Sequence, residues 1–396
     1  MNRSPYSDGQ NLFCLLAALL STLSVQGLFF ILPDSGTPGM GAMYQLNALL
    51  DGLGHAYSQN WLSWCCLMAF FFFAGRRLYF AEPKLRLRPF AVFLAAAFTL
   101  FFFIGACMEK YGAFEPVLSG KFQLVLLGVS AVGCFIPLLA FFGRLPAMLP
   151  VLFSLRFAPA EKLARRVQAK RPLLGPMLFF ALCWLPVWLI AFPGGLASDT
   201  GTQLGMYLPE NIFNNHYPYL VTLFYIAVSR LGMMLGAPGV VLFLLTAMQY
   251  FWQAFALGYM MRTLQRLGVS DALRGICMAL FGVVSIWPIY AVCVQKDTPY
   301  VGGIVLLMCI CAELLYLGRA LTPRLTAALL ALCLLIVHTR NNGIYLCLPL
   351  LVALAAALGR RYLGKLAGVT AVMLAVYAFT QGPLMEAVHC NGNETQ

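Results

Sequence analysis

The chain has 396 residues, of which 61% are hydrophobic and 10% charged, with a mean hydropathy of +0.81 and a formal net charge of +12. This composition excludes a water-soluble globule of that length and reads as a polytopic membrane protein. Lipid cannot satisfy open strand edges, so the predicted fold class is all-α.

Apolar runs long enough for a hydrocarbon core of roughly 30 Å fall at 11–32, 60–80, 89–108, 122–143, 172–192, 238–261, 275–293, 299–318, 324–339, 343–359 and 365–385. The first is too long for a signal-peptide core and ends in Leu32-Pro33-Asp34, not in a small-residue cleavage site, so it is expected to remain as an anchor. The segment 33–60 after it carries Asp34, Asp51 and His55 among glycines and reads as a solvated outer loop.

Basic residues then set the orientation. They cluster at Arg76, Arg77, Lys84, Arg86 and Arg88, in the seven of segment 144–171, and at Arg262, Arg266 and Arg274, which assigns those loops to the cytoplasm. A further run, 219–235, has 17 residues and decides the sidedness of everything after it. If it crossed, Arg262, Arg266, Arg274, Arg319, Arg324, Arg360, Arg361 and Lys365 would all lie outside. If it lies along or dips into the outer leaflet, those eight lie inside and only Lys296 and Arg340 face out.

The second arrangement puts 21 of 26 basic residues on the cytoplasmic side. It predicts about eleven transmembrane helices, a cytoplasmic N-terminus, an extracytoplasmic C-terminus and an outer-leaflet juxtamembrane helix. The organisation is a four-helix block at 1–143, a basic cytoplasmic loop at 144–171 lying on the membrane surface, a seven-helix module at 172–385 and an outer tail at 386–396. Because the cations are spread over separate short loops, their partner is anionic lipid and not nucleic acid. The thirteen cysteines lie mostly inside spans and form no CxxC pair, so neither a disulfide framework nor a zinc site is expected.

Polar residues of the seven-helix module gather on the outer side of this topology. Asp199 follows the fifth span, Asn214, Asn215 and His216 precede the surface helix, Lys296 and Asp297 close the seventh span, and His338, Arg340, Asn341 and Asn342 close the ninth. Each has an ordinary reading taken alone. Ser198-Asp199-Thr200 is good helix-capping material, Lys296-Asp297 can be a local ion pair, and Arg340-Asn341-Asn342-Gly343 a turn with a snorkelling arginine. Their convergence, with Arg230 beside them, points to a site.

In their order these residues resemble the GT-C class of membrane glycosyltransferases that use lipid-linked sugars, close to the protein-mannosyltransferase-like and aminoarabinose-transferase-like bacterial branch. The likeness covers 172–385. It is carried by Phe192-Pro193-Gly194-Gly195 leading to Asp199, by Asn215-His216-Tyr217-Pro218, by the basic turn 262–274, and by Trp287-Pro288 followed by Lys296-Asp297. Two departures stand out. Asp199 is followed by Thr200, Gly201 and Thr202 where relatives have a second acid, which leaves a divalent metal without a paired acidic motif, and Tyr217 replaces the first proline of His-Pro-Pro.

The resemblance implies sugar transfer from a polyprenyl-phosphate donor to an envelope acceptor on the outer face, with inversion. By the same resemblance Asp199 is the general base, and Lys296 and Arg340, with Arg230, neutralise the departing phosphate. His216 orients the acceptor or holds a phosphate oxygen, while Asp297 positions Lys296 or takes the place of Asp199. Asn215 and Asn341 complete the substrate-binding set, and no cofactor is assigned. The chain stops soon after the last span, so either the acceptor is small, a partner protein recognises it, or the chain is truncated. The alternatives are a multi-pass transporter or lipid flippase, which would carry ionisable groups near the bilayer midplane, and a noncatalytic subunit of an envelope-assembly complex. Glu313, near the cytoplasmic end of its span, is the one acid within a span.

Overall fold

The computed structural model describes residues 6–26, 42–80, 88–111, 121–206, 213 and 215–390. They are almost entirely helical, and six helices are long and apolar enough to cross a membrane, or seven if one bent pair counts as a single span. The chain is an all-α, multi-pass membrane protein. It divides into two compact units, 1–151 and 152–396.

In the first unit, α1 (Asp8–Val25) starts at a capping box between Ser7 and Gln10. It packs on α2 (Ala42–Phe80) and is followed by α3 (Pro89–Tyr111) and α4 (Lys121–Phe153). Small polar side chains join α1 to α4: Ser21 Oγ donates to the Gly133 carbonyl and Ser24 Oγ to that of Ser130, both at 2.8 Å. Lipid is as apolar as leucine, so helices here associate through such close contacts and not through a hydrophobic driving force.

Two expectations change in this part of the chain. Helix α2 begins well before residue 60 and is interrupted by non-helical backbone only at Asn60 (φ −132°, ψ 30°), so Asp51 and His55 sit on a helix and not in a loop. Asp34 lies outside the described residues. The segment 144–171 is also mostly helical: α4 continues through Pro146 and Pro150 to Phe153, and a separate helix, α5 (Ala158–Gln168), follows with Pro159 in its first turn.

The second unit continues with α6 (Leu174–Ile190), β1 (Gly195–Leu196), α7 (Ser198–Gly205), α8 (Tyr219–Met234) and α9 (Pro238–Arg266). Then come α10 (Asp271–Val283), α11 (Ile286–Val292), β2 (Cys293–Val294), α12 (Asp297–Tyr316), α13 (Pro323–Thr339), α14 (Gly343–Leu358) and α15 (Arg360–Phe379). Helix α9 is central, with one buried cluster on each side. Phe180, Trp184, Tyr250, Leu257 and Met278 join it to α6 and α10, while Leu307, Ile310, Leu329, Ile336, Cys347 and Met373 form the core among α12 to α15.

The span expected at 275–293 is two helices, α10 and α11, bent by 55°. Pro288 accounts for the break, because it offers no N–H to the Val284 carbonyl four residues back and its ring would clash with it. Val284 is accordingly extended (φ −68°, ψ 119°). At the far end of α12, Glu313 is fully buried and fully satisfied. It accepts from Arg266 Nη1 at 3.0 Å, Tyr259 at 3.1 Å, Thr263 at 3.4 Å and Arg319. An acid within a span is here a tie between α9, α12 and the following turn.

Candidate functional site

The site is organised by a two-residue parallel strand pair. Gly195 lies opposite Cys293 and Leu196 opposite Val294, which sets the chain leaving α6 beside the chain entering α12. The Val294 carbonyl also accepts from the Ala197 N–H at 3.3 Å and from Thr200 Oγ1 at 2.8 Å. Gly194 permits the approach: its φ is +152°, and a Cβ there would stand 1.9 Å from Thr246 Oγ1 of α9. The Gln249 amide, oriented to satisfy both groups, takes the N–H and C=O of Gln295 at 3.2 and 3.0 Å.

Asp199 follows β1 by three residues and Lys296 follows β2 by two, so the strand pairing brings their side chains together and Lys296 Nζ donates to Asp199 Oδ2. Asp199 does not cap α7; the cap position is Ala197, and Asp199 sits in the first turn, where the helix dipole favours a carboxylate. Lys296 is 7% exposed and its Nζ lies 4.6 Å from the centre of the Tyr217 ring. The ammonium is therefore held from both sides, by charge and by an aromatic face.

Asp297 turns to a different partner. Its Oδ1 is 2.8 Å from Arg340 Nε, an ion pair out of hydrogen-bond alignment that leaves Oδ1 without a donor. Arg340 caps α13 in extended conformation (φ −144°, ψ 134°), with its guanidinium 5.6 Å from the Tyr300 ring centre. Asp297 opens α12 and gains from that helix's N-terminal dipole.

An amide layer closes the cluster on a third side. Asn341 Nδ2 donates to the Asn215 carbonyl at 2.9 Å, Asn215 Nδ2 donates to Gln381 Oε1 at 2.8 Å, and Asn215 Oδ1 accepts from the Tyr219 N–H at 3.3 Å. The Tyr219 hydroxyl donates to the Thr380 carbonyl, and burial pushes its phenol above the ordinary value, which keeps the proton on that donor. His338 Nδ1 lies 2.7 Å from the Leu334 carbonyl, so that nitrogen carries the proton, and Nε2 meets Thr380 Oγ1 at 3.0 Å.

The structure thus gathers Asp199, Lys296, Asp297, Arg340, Asn215 and Asn341 around the ends of α12, α13 and α14 and the start of α8. His216 is exposed beside them, edge-on to Tyr217 at 4.8 Å. Arg230 lies eleven residues along α8 from Tyr219, about 16 Å at 1.5 Å per residue. Asn214 lies outside the described residues. Tyr217, part of the Asn215-His216-Tyr217-Pro218 motif, joins them, and Gln249, Tyr300 and Gln381 are members that the motifs did not single out. Gln249 alone left a trace in the sequence, as an amide inside an apolar run.

Beside Asp297 lies a groove of about 190 Å³, walled by Ile286, Trp287, Tyr290 and Val301 with Gln253 and Thr298 at its edge. Among the described residues no three His, Cys, Asp or Glu side chains stand together as a metal-ligand set.

No curated protein and no solved structure matches this chain. The model of a family of unknown function, DUF6020, matches residues 207–393, a stretch that holds Asn215, His216, Arg230, Lys296, Asp297, Arg340 and Asn341 and begins after Asp199.

Proposed function

We propose that the protein transfers a sugar from a polyprenyl-phosphate lipid to an envelope acceptor on the outer face of the cell membrane, with inversion at the anomeric carbon. The observation that carries this reading is the paired arrangement Asp199–Lys296 and Asp297–Arg340, two carboxylates and two cations drawn from three separate chain positions to one cluster. The two charged ends of α12, Asp297 and Glu313, are sixteen residues apart, about 24 Å along the helix. That distance approaches the hydrocarbon thickness of roughly 30 Å and supports a site at one bilayer interface and not at its middle. The reading includes the eleven-span topology, with α8 in the outer leaflet, the N-terminus inside and the C-terminus outside.

The pairs suggest an order of events. An acceptor hydroxyl attacks the anomeric carbon, the bond from that carbon to the phosphate oxygen breaks, and the phosphate leaves on its lipid with the bonding electrons. Asp199 takes the hydroxyl proton. In the resting pair Asp199 is held by Lys296, so the donor phosphate, competing for the same ammonium, releases the carboxylate as it arrives. Arg340 meets the charge developing on the leaving group, and Asp297, beside the groove, faces the oxocarbenium character of the sugar. Incubation of purified protein in lipid with labelled polyprenyl-phosphate sugars tests this. Release of sugar from the carrier, lost in Asp199→Asn, is expected; no release from any donor by folded protein would sink the proposal.

A further inference from the structure

Among the described residues, a strongly charged surface outside this cluster lies on α5. Its inner face, Ala160, Ala164 and Gln168, is buried at helical spacing against α10. The contact is backbone-close, since a Cβ at Gly275 would stand 2.0 Å from the Ala160 carbonyl oxygen. Polar bonds lock it further. Arg165 Nε meets Asp271 Oδ2 at 2.6 Å, Arg274 binds both Asp271 and Gln168, and Gln168 Nε2 donates to the Met261 carbonyl at 3.0 Å.

Both acids near this helix are used up in these contacts. Asp271 holds Arg165 and Arg274, and Glu161 holds Arg165 at 3.1 Å with Arg156 at 4.0 Å. Lys162 and Arg166, one turn apart on the outer face, and Lys170 and Arg171 just beyond the helix end are all exposed, and among the described residues no acid pairs with them. The outer face therefore keeps four uncompensated positive charges on a rigid mount. Phe157, 53% exposed, and Leu174, 38% exposed, flank it at either end, and α6, an apolar helix, starts six residues after α5 stops.

We propose that α5 is a binding surface for anionic phospholipid headgroups, with Lys162, Arg166, Lys170 and Arg171 on the phosphates and Phe157 and Leu174 dipping into the acyl boundary. A helix fixed by its inner face and charged on its outer one, followed at once by an apolar helix, sits where headgroups are. Each basic side chain close to an anionic surface strengthens binding by about fivefold at physiological salt. This surface is independent of the Asp199 cluster and of any transfer activity.

The test uses the full chain in nanodiscs of phosphatidylcholine with and without phosphatidylglycerol, reading bound lipid by native mass spectrometry and unfolding by Tm. Wild type is expected to retain phosphatidylglycerol over phosphatidylcholine and to gain Tm from it, with the gain shrinking as salt rises. The variant carrying Lys162→Gln, Arg166→Gln, Lys170→Gln and Arg171→Gln should keep its Tm in phosphatidylcholine and lose the preference by at least about tenfold. Arg274→Gln, which removes the buried tie to Asp271 and Gln168, should instead lower Tm in both lipids. Equal retention by wild type and the fourfold variant, no preference in wild type, or a preference for an added oligonucleotide over the lipid would overturn the proposal.

Discussion

Lys296 and Asp297 are neighbours in the chain, yet neither pairs with the other: Lys296 reaches Asp199, 97 residues earlier, and Asp297 reaches Arg340. Removing either partner of the first pair has unequal consequences, because Lys296 is buried and Asp199 is 44% exposed. A double-mutant cycle with Asp199→Asn and Lys296→Met measures the coupling. Asp199→Asn alone leaves a buried ammonium without its counter-charge and should lower Tm by several degrees, while adding Lys296→Met should recover most of that loss. Additive effects would contradict the pairing.

Tyr217 acts on the same ammonium through its ring. Tyr217→Phe retains the aromatic face under Lys296 and should behave as wild type, whereas Tyr217→Leu removes about 0.5–2 kcal/mol of cation–π attraction. The expected readout is a raised KM for the lipid donor in the leucine variant with little change in Tm. A phenylalanine variant as impaired as the leucine one would assign the role to the hydroxyl.

Gly194 is where α9 meets the chain leaving α6. Gly194→Ala should destabilise the protein strongly, since its Cβ would overlap Thr246 Oγ1 and its φ of +152° disfavours any L side chain. Adding Thr246→Ala relieves the overlap but not the backbone, so Tm should recover only in part. Full recovery would show that the clash alone matters.

Glu313 should prove structural. Glu313→Gln keeps the shape but takes the counter-charge from Arg266 and Arg319, which are 42% and 39% exposed and can turn to solvent, with an expected loss of about 1–3 kcal/mol read as a lower Tm or poorer yield. Activity per folded molecule should not change. A folded, stable variant without activity would move Glu313 into the chemistry.

Much of this is legible in the sequence. An all-α membrane protein follows from composition and run length, and Asp199, Lys296, Asp297, Arg340, Asn215 and Asn341 were each visible as polar residues at the ends of apolar runs. What could not be read was the pairing. Adjacency favoured Lys296 with Asp297, and only the contact between Gly195–Leu196 and Cys293–Val294, two residues on each side and with no periodic signature, redirects them. The bend at Val284 was written in Pro288 but masked by the length of the apolar run around it. The helical 42–59 and 158–168 segments read as loops because their polarity matches that of solvated chain, although Ala160, Ala164 and Gln168 carry the spacing of a buried helical face. Arg230 joins the set by its sign, and it stands eleven residues along α8 from Tyr219.

The most direct measurement is sugar release from labelled polyprenyl-phosphate donors by wild type, Asp199→Asn and Glu313→Asp proteins reconstituted in lipid, with Tm recorded for each. Release by wild type and by the folded fraction of the Glu313 variant, but none by a folded Asp199→Asn protein, is the expected result. Undiminished release by Asp199→Asn would contradict its role as base, and the absence of release by folded wild type with every donor would contradict the transfer reaction itself.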